Sequence, residues 1–136
     1  MDCKPLYLAL LLAITHHAAA DVAVIGHPGN ADSIDSAQVS KIFLGQTKTF
    51  PGGAEATPVD IKDGQVREEF GNKVLKKSPS QLKVLWARQI FTGGAKPPRE
   101  LGSDEDVLRF VASTPGAIGY IDASKANASV KVIAKH

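Results

Sequence analysis

The stretch "TPGAIGYID", residues 114–122, most narrows what this chain can become. Ahead of it, Ser103 and three acids start a helix that buries Val107, Leu108 and Val111. A proline and a glycine then stop that helix, and an apolar run with a second glycine comes at once. A helix delivered so abruptly into a buried strand must pack on the sheet that the strand joins. "DVAVIGHP" (residues 21–28) and "TPVDI" (57–61) read as further strands, each bounded by turn residues and succeeded by a helix. "VKVIA" (130–134) closes the chain as a last strand.

The helices carry their own punctuation. Asp35 stands three residues before Gln38, with Ile34 and Val39 at the staple positions, so a capping box opens the first helix. Val39, Ile42 and Phe43 share its apolar face, and Gly45 stops it. After "KDG", Val66, Phe70 and Val74 recur at four-residue intervals. Ser78, Pro79 and Gln81 then start another helix, in which Leu82, Leu85, Trp86 and Ile90 form the expected inward stripe. "FTGGAKPPRELG" (91–102) reads as loop. The predicted order is β-α-β-α-α-α-β-β. Strands separated by helices imply a small, mixed, mostly parallel sheet flanked by helices, with ligands gathering at strand carboxyl ends.

Residues 1–20 stand apart as a secretory signal: Lys4 precedes the apolar run "PLYLALLLAI", and small residues lead to cleavage after Ala20. Ten apolar residues are too few for a hydrocarbon core that needs about twenty, so stable membrane insertion is not expected. Residues 21–136 suffice for one domain with one core. The only cysteine leaves with the signal, which removes disulfides and thiol chemistry and points to a bacterial envelope. Asp2 and Lys4 leave together, so the net charge stays at +2. So small a surplus, without a basic run to track a phosphate backbone, excludes nucleic acid as the main partner. "KVLKK" (73–77) reads as a solvated helix end.

The turn "PVDIKDGQVREEF" (58–70) carries the chemistry if any segment does. A strand turning through glycine into a helix aims backbone N–H groups at one spot, Arg67 adds a charged fork, and Lys62 adds a point charge. That describes an oxyanion site; the alternative is an ordinary turn whose helix is capped by Asp63. His27, near Asp32 and Asp35, reads as a strand-end histidine satisfied by backbone, the alternative being a metal ligand without a recognised spacing. Trp86 reads as core, the alternative being a recognition pair with Arg88. Asn127-Ala-Ser129 matches a glycosylation acceptor. No G-x-S-x-G elbow, thiol or second histidine within the domain assembles an enzyme, and no cofactor is expected.

The stretches "AVIGHPGN", "KIFLGQTKTFPGG", "REEF" and "LWARQIFTGGAKPPRELGSDEDVLRFVASTPGAIGYID" together resemble the short, exported, phosphate-type substrate-binding proteins. These form a reduced branch of the periplasmic binding protein superfamily, associated with ABC phosphate uptake. The resemblance implies a periplasmic, non-enzymatic α/β lobe that binds a small oxyanion such as phosphate. An ABC permease or an envelope sensor protein is the implied partner. In full-length members two lobes close on the anion, and the second offers a strand-end arginine and then Ser-Gly-Thr. Laid on that pattern, Asp60 stands where the arginine belongs and Gly64, Gln65 and Val66 replace Ser-Gly-Thr. Arg67 and Phe70 match the family's next positions. The expected ligand contacts are thus Asp60, Lys62, Gly64, Gln65 and Arg67, with the loop after His27 as the opposing wall. Against phosphate, Asp60 repels unless Lys62 or Arg67 neutralises it.

Overall fold

A computed structural model describes residues 21–30 and 34–136. Residues 1–20, where a signal peptide is expected, and Asp32 lie outside the described residues.

The chain runs β1 (Val22–Gly26), α1 (Ser36–Phe43), β2 (Thr57–Ile61) and α2 (Gln65–Phe70). A π-helical segment (Gly71–Leu75) leads to α3 (Pro79–Phe91), β3 (Arg99–Leu101), α4 (Asp104–Ser113) and β4 (Ala117–Asp122). A short 3-10 turn (Ala123–Lys125) and β5 (Lys131–Lys135) complete it. The five strands form one mixed sheet in the order β3-β2-β4-β1-β5. β2 pairs parallel with β3 and β4, whereas β1 pairs antiparallel with β4 and β5.

Two sequence expectations are corrected here. The sheet is mixed as expected, but parallel and antiparallel pairings share it evenly, because β4 inserts between β1 and β2 and runs against β1. The region read as loop also contains β3, a three-residue edge strand too short and too charged to show an alternating pattern.

β4 is central and buried from Ala117 to Ile121. Its alternation sorts the two layers. Gly119 faces α4, where a Cβ would come within 2.7 Å of Val107 and 3.0 Å of Val59. Only glycine lets α4 sit this close to the sheet. Gly116, at φ 84°, makes the turn into β4, and a Cβ there would meet the Glu55 carbonyl at 2.6 Å. These two contacts account for the glycines of "TPGAIGY". On the other face Tyr120 stacks on Phe70 at 3.9 Å, and Phe43 meets both rings edge-on. α1 and α2 therefore cover that face.

The helix starts are as expected for α1 and α3. Asp35 accepts from the Gln38 amide at 2.9 Å while Gln38 accepts from the Asp35 amide, and Ser78 and Gln81 do the same for α3. The expected burial of α3 is not found. None of its residues is fully buried; Leu82, Leu85 and Trp86 are half-buried, and Ile90 is 62% exposed. Phe91, at 90% exposure, points away from the protein. An apolar stripe at helical spacing gives the helix a preferred face but does not supply cover for it. α3 leaves the domain through Lys76, which holds a left-handed conformation at φ 58°.

Candidate functional site

At the carboxyl end of β2, Asp60 is the half-buried centre of a charged knot. Its Oδ1 accepts from the Tyr120 hydroxyl in a very short hydrogen bond and from the Ile61 amide at 3.0 Å. Arg67 reaches back from the first turn of α2, its Nη2 lying 3.8 Å from Asp60 Oδ2. Its Nη1 donates to the Ile61 and Lys62 carbonyls, both at 2.9 Å, and to Glu100 Oε2 at 2.6 Å. Burial raises the Asp60 carboxyl above its ordinary pKa, against the opposing pull of Tyr120 and Arg67. Burial and the adjacent Asp60 charge push the Tyr120 hydroxyl far upward, so it stays a proton donor.

The knot changes the role read for Arg67. Its fork is directed at two carbonyls and two carboxylates within the protein, joining the end of β2 to β3 through Glu100. Asp60, which stands where the family pattern has a cation, is satisfied by Tyr120 and Arg67 together. Sequence reasoning did not find Glu100 or Tyr120 because each lies on a strand whose neighbour is set by long-range pairing.

Beside the knot, α2 and α3 leave a groove of about 430 Å³. Lys62, Gly64 and Arg67 line one side, and Lys77, Leu82, Lys83 and Trp86 line the other. Gly64 is the N-cap of α2 and no side chain caps that end, so Asp63 does not take the capping role considered for it. Gln65 comes next in the exposed turn and Asp60 lies beneath it; neither lines the groove. Among the described residues, no carboxylate pairs with Lys62, Lys77 or Lys83. The uncompensated positive charge at this end of the sheet therefore rests on three lysines. Asp63 and Glu68 also line the groove and offset part of it. Residues 70–99 hold seven basic residues and no acid, a bias that the even overall balance conceals.

His27 lies elsewhere. β1 runs against β4, and β4 runs with β2, so the end of β1 meets the beginnings of both. His27 lines a separate hollow of about 360 Å³ with Asn30, Phe50 and Gly116. It cannot form the wall opposite Gly64, and that expectation is corrected by the strand direction. Its Nδ1 accepts from the Gly29 amide at 2.9 Å, the backbone partner read for it. Asp35 is occupied in capping α1. Among the described residues, no group of three histidine, cysteine or acidic side chains could hold a metal ion.

No family model matches the chain, and no curated protein matches it. Solved structures do. A Clostridium perfringens protein described as a phosphate ABC transporter substrate-binding protein, with phosphate bound, superposes with a TM-score of 0.65 at 19% identity. That match covers 85% of this chain and 45% of the other. The chain shares its α/β fold with about half of this structure. An ABC-type phosphate transport receptor from Vibrio cholerae gives a TM-score of 0.55 at 14% identity, covering 86% of this chain and 47% of the receptor. PstS from Borrelia burgdorferi gives 0.55 at 16%, covering 75% and 41%. The chain thus spans less than half the length of each of these structures. No helix among the described residues is long and apolar enough to cross a membrane.

Proposed function

We propose that the chain is an exported, non-catalytic solute-binding lobe that takes a small oxyanion such as phosphate in the groove beyond β2 and serves an ABC permease in the periplasm. The observation that carries this reading is the groove itself: three lysines that pair with no carboxylate among the described residues, beside a glycine-led turn without a side-chain cap. Lys62, Lys77 and Lys83 supply the charge, and Gly64 supplies a backbone donor. Arg67 and Asp60 hold the turn in shape.

The affinity is expected to be modest. A charge pair at 4 Å is worth about 1 kcal/mol in water and about 4 kcal/mol near a protein surface. An open half-cleft leaves the anion largely hydrated, which sets the expectation near 1 mM, or about 4 kcal/mol of binding free energy. Titration calorimetry with phosphate and sulfate tests it, and the absence of heat for both at millimolar concentration sinks it. Mass measurement of the exported protein tests the cleavage after Ala20.

A second reading, a lobe working as an envelope protein-interaction or sensor module, is favoured by one observation. Val84 and Phe91 are 57% and 90% exposed on the outward face of α3. Patches of this kind mark interaction surfaces. If this reading holds, a partner captured by the native protein is lost with Phe91→Asp while calorimetry with phosphate stays silent.

A further inference from the structure

The groove between α2 and α3 has both charged and apolar lining. Its lysines, Lys62 on one side and Lys77 and Lys83 on the other, suit an oxyanion. Pro79, Leu82 and Trp86 line the same space, on the α3 side that also carries Lys83, and Asp63 and Glu68 border it from the α2 side. Trp86 and Leu82 are half-buried, so protein covers only part of each. The Trp86 ring lies beside Gly45 on one side and borders the groove on the other. At about 430 Å³ the space falls within the range of about 300–1,000 Å³ usual for organic ligands. A bare tetrahedral anion fills a small part of that, and it leaves the tryptophan and leucine wet.

The character of the cations points the same way. Arg67, whose planar fork would select a bare oxyanion by two parallel hydrogen bonds, is held by Glu100, Asp60 and two carbonyls. What remains are lysines, point charges on long stems that reach an anionic group without fixing its orientation. Orientation must then come from the rest of the ligand, through contact with the apolar groups.

We infer that the groove takes an amphipathic organic anion, a phosphate or similar oxyanion joined to an apolar body about the size of one ring. The inference rests on the solute-binding reading above and narrows its ligand class. The charged end sits among Lys62, Lys77 and Lys83, and the apolar end lies against Trp86, Leu82 and Pro79.

Trp86 is the only tryptophan in the chain, so its emission reports on this wall alone. The test titrates the full mature chain with phenyl phosphate, inorganic phosphate and benzyl alcohol, by calorimetry and by Trp86 fluorescence. Phenyl phosphate is expected to bind at least tenfold more tightly than either of the others and to change the Trp86 emission. Leu82→Ala should weaken phenyl phosphate several-fold and leave inorganic phosphate unchanged, and Lys83→Gln should weaken both. Equal affinity for inorganic and phenyl phosphate overturns the inference and leaves the oxyanion reading standing. Benzyl alcohol binding as tightly as phenyl phosphate overturns it from the other side. Tight phenyl phosphate binding that neither moves the Trp86 emission nor responds to Leu82→Ala places the ligand elsewhere and overturns it too. No binding by any of the three removes both readings.

Discussion

The pair β1–β4 and the helix α3 are built from similarly apolar sequence, yet they end in opposite surroundings. In β1 and β4 every residue from Val22 to Gly26 and from Ala117 to Ile121 is buried. In α3 no residue is, although Leu82, Val84, Leu85, Trp86, Ile90 and Phe91 lie within thirteen positions. The strands gain two covered faces because α4 packs on one and the Phe43–Phe70–Tyr120 cluster on the other. α3 belongs to neither layer. The stability of the domain should therefore reside in the sheet, while α3 presents apolar and basic surface for contact with something else.

Substitutions that exchange comparable groups between the two regions test this contrast most directly. Tyr120→Ala should have the largest effect. It removes a fully buried ring and leaves Asp60 without its hydroxyl donor, for a loss of about 3–5 kcal/mol in denaturant unfolding. Gly119→Ala comes next, at about 1–3 kcal/mol, since the added methyl meets Val107 and Val59. Arg67→Leu should cost about 1–3 kcal/mol, because Asp60 and two carbonyls lose their donor. Phe91→Ser should lie within about 0.5 kcal/mol of the parent, although it also removes an aromatic ring. Equal losses for Phe91→Ser and Tyr120→Ala would show that α3 is covered and would break the contrast.

Asp60 gives the smallest and sharpest test. Its native pKa is raised, chiefly by burial, so the folded protein holds this proton to higher pH than the unfolded chain. Between the unfolded value of about 3.9 and the raised native value, the native state binds more protons. Stability from this group is therefore fully present below that window and falls as pH rises through it. Asp60→Asn should flatten that part of the stability–pH curve, as read from unfolding midpoints at successive pH values. Glu105 and Asp122, whose pKa values are lowered, are common to both proteins and cancel in the comparison.

The local features of the fold were legible in the sequence. The capping boxes at Asp35 and Ser78 and the glycine-marked strand at 117–122 are short-range signals, and all stand as read. The insertion of β4 between β1 and β2 was not legible, because pairing is decided by which faces pack and not by chain order. That error carried over to the site: taking strand ends as neighbours put His27 opposite Gly64. Of the six residues named, Lys62, Gly64 and Arg67 line one groove, Gln65 and Asp60 adjoin it, and His27 is remote. Lys77 was missed because "KVLKK" read as a solvated helix end, and Lys83 because only the apolar stripe of its helix was read. Their signal was the acid-free span 70–99.

Lys76 shows how loosely α3 is joined to the rest. A residue with a Cβ in the left-handed region costs roughly 1–2 kcal/mol, and here it forms the joint through which α3 departs. With that strain at its root and no buried anchor along its length, the helix should open as a separate unit. Its amides should exchange with deuterium through local excursions while those of β4 wait for global unfolding. A ligand bridging Lys62 and Trp86 would slow the first set and leave the second untouched.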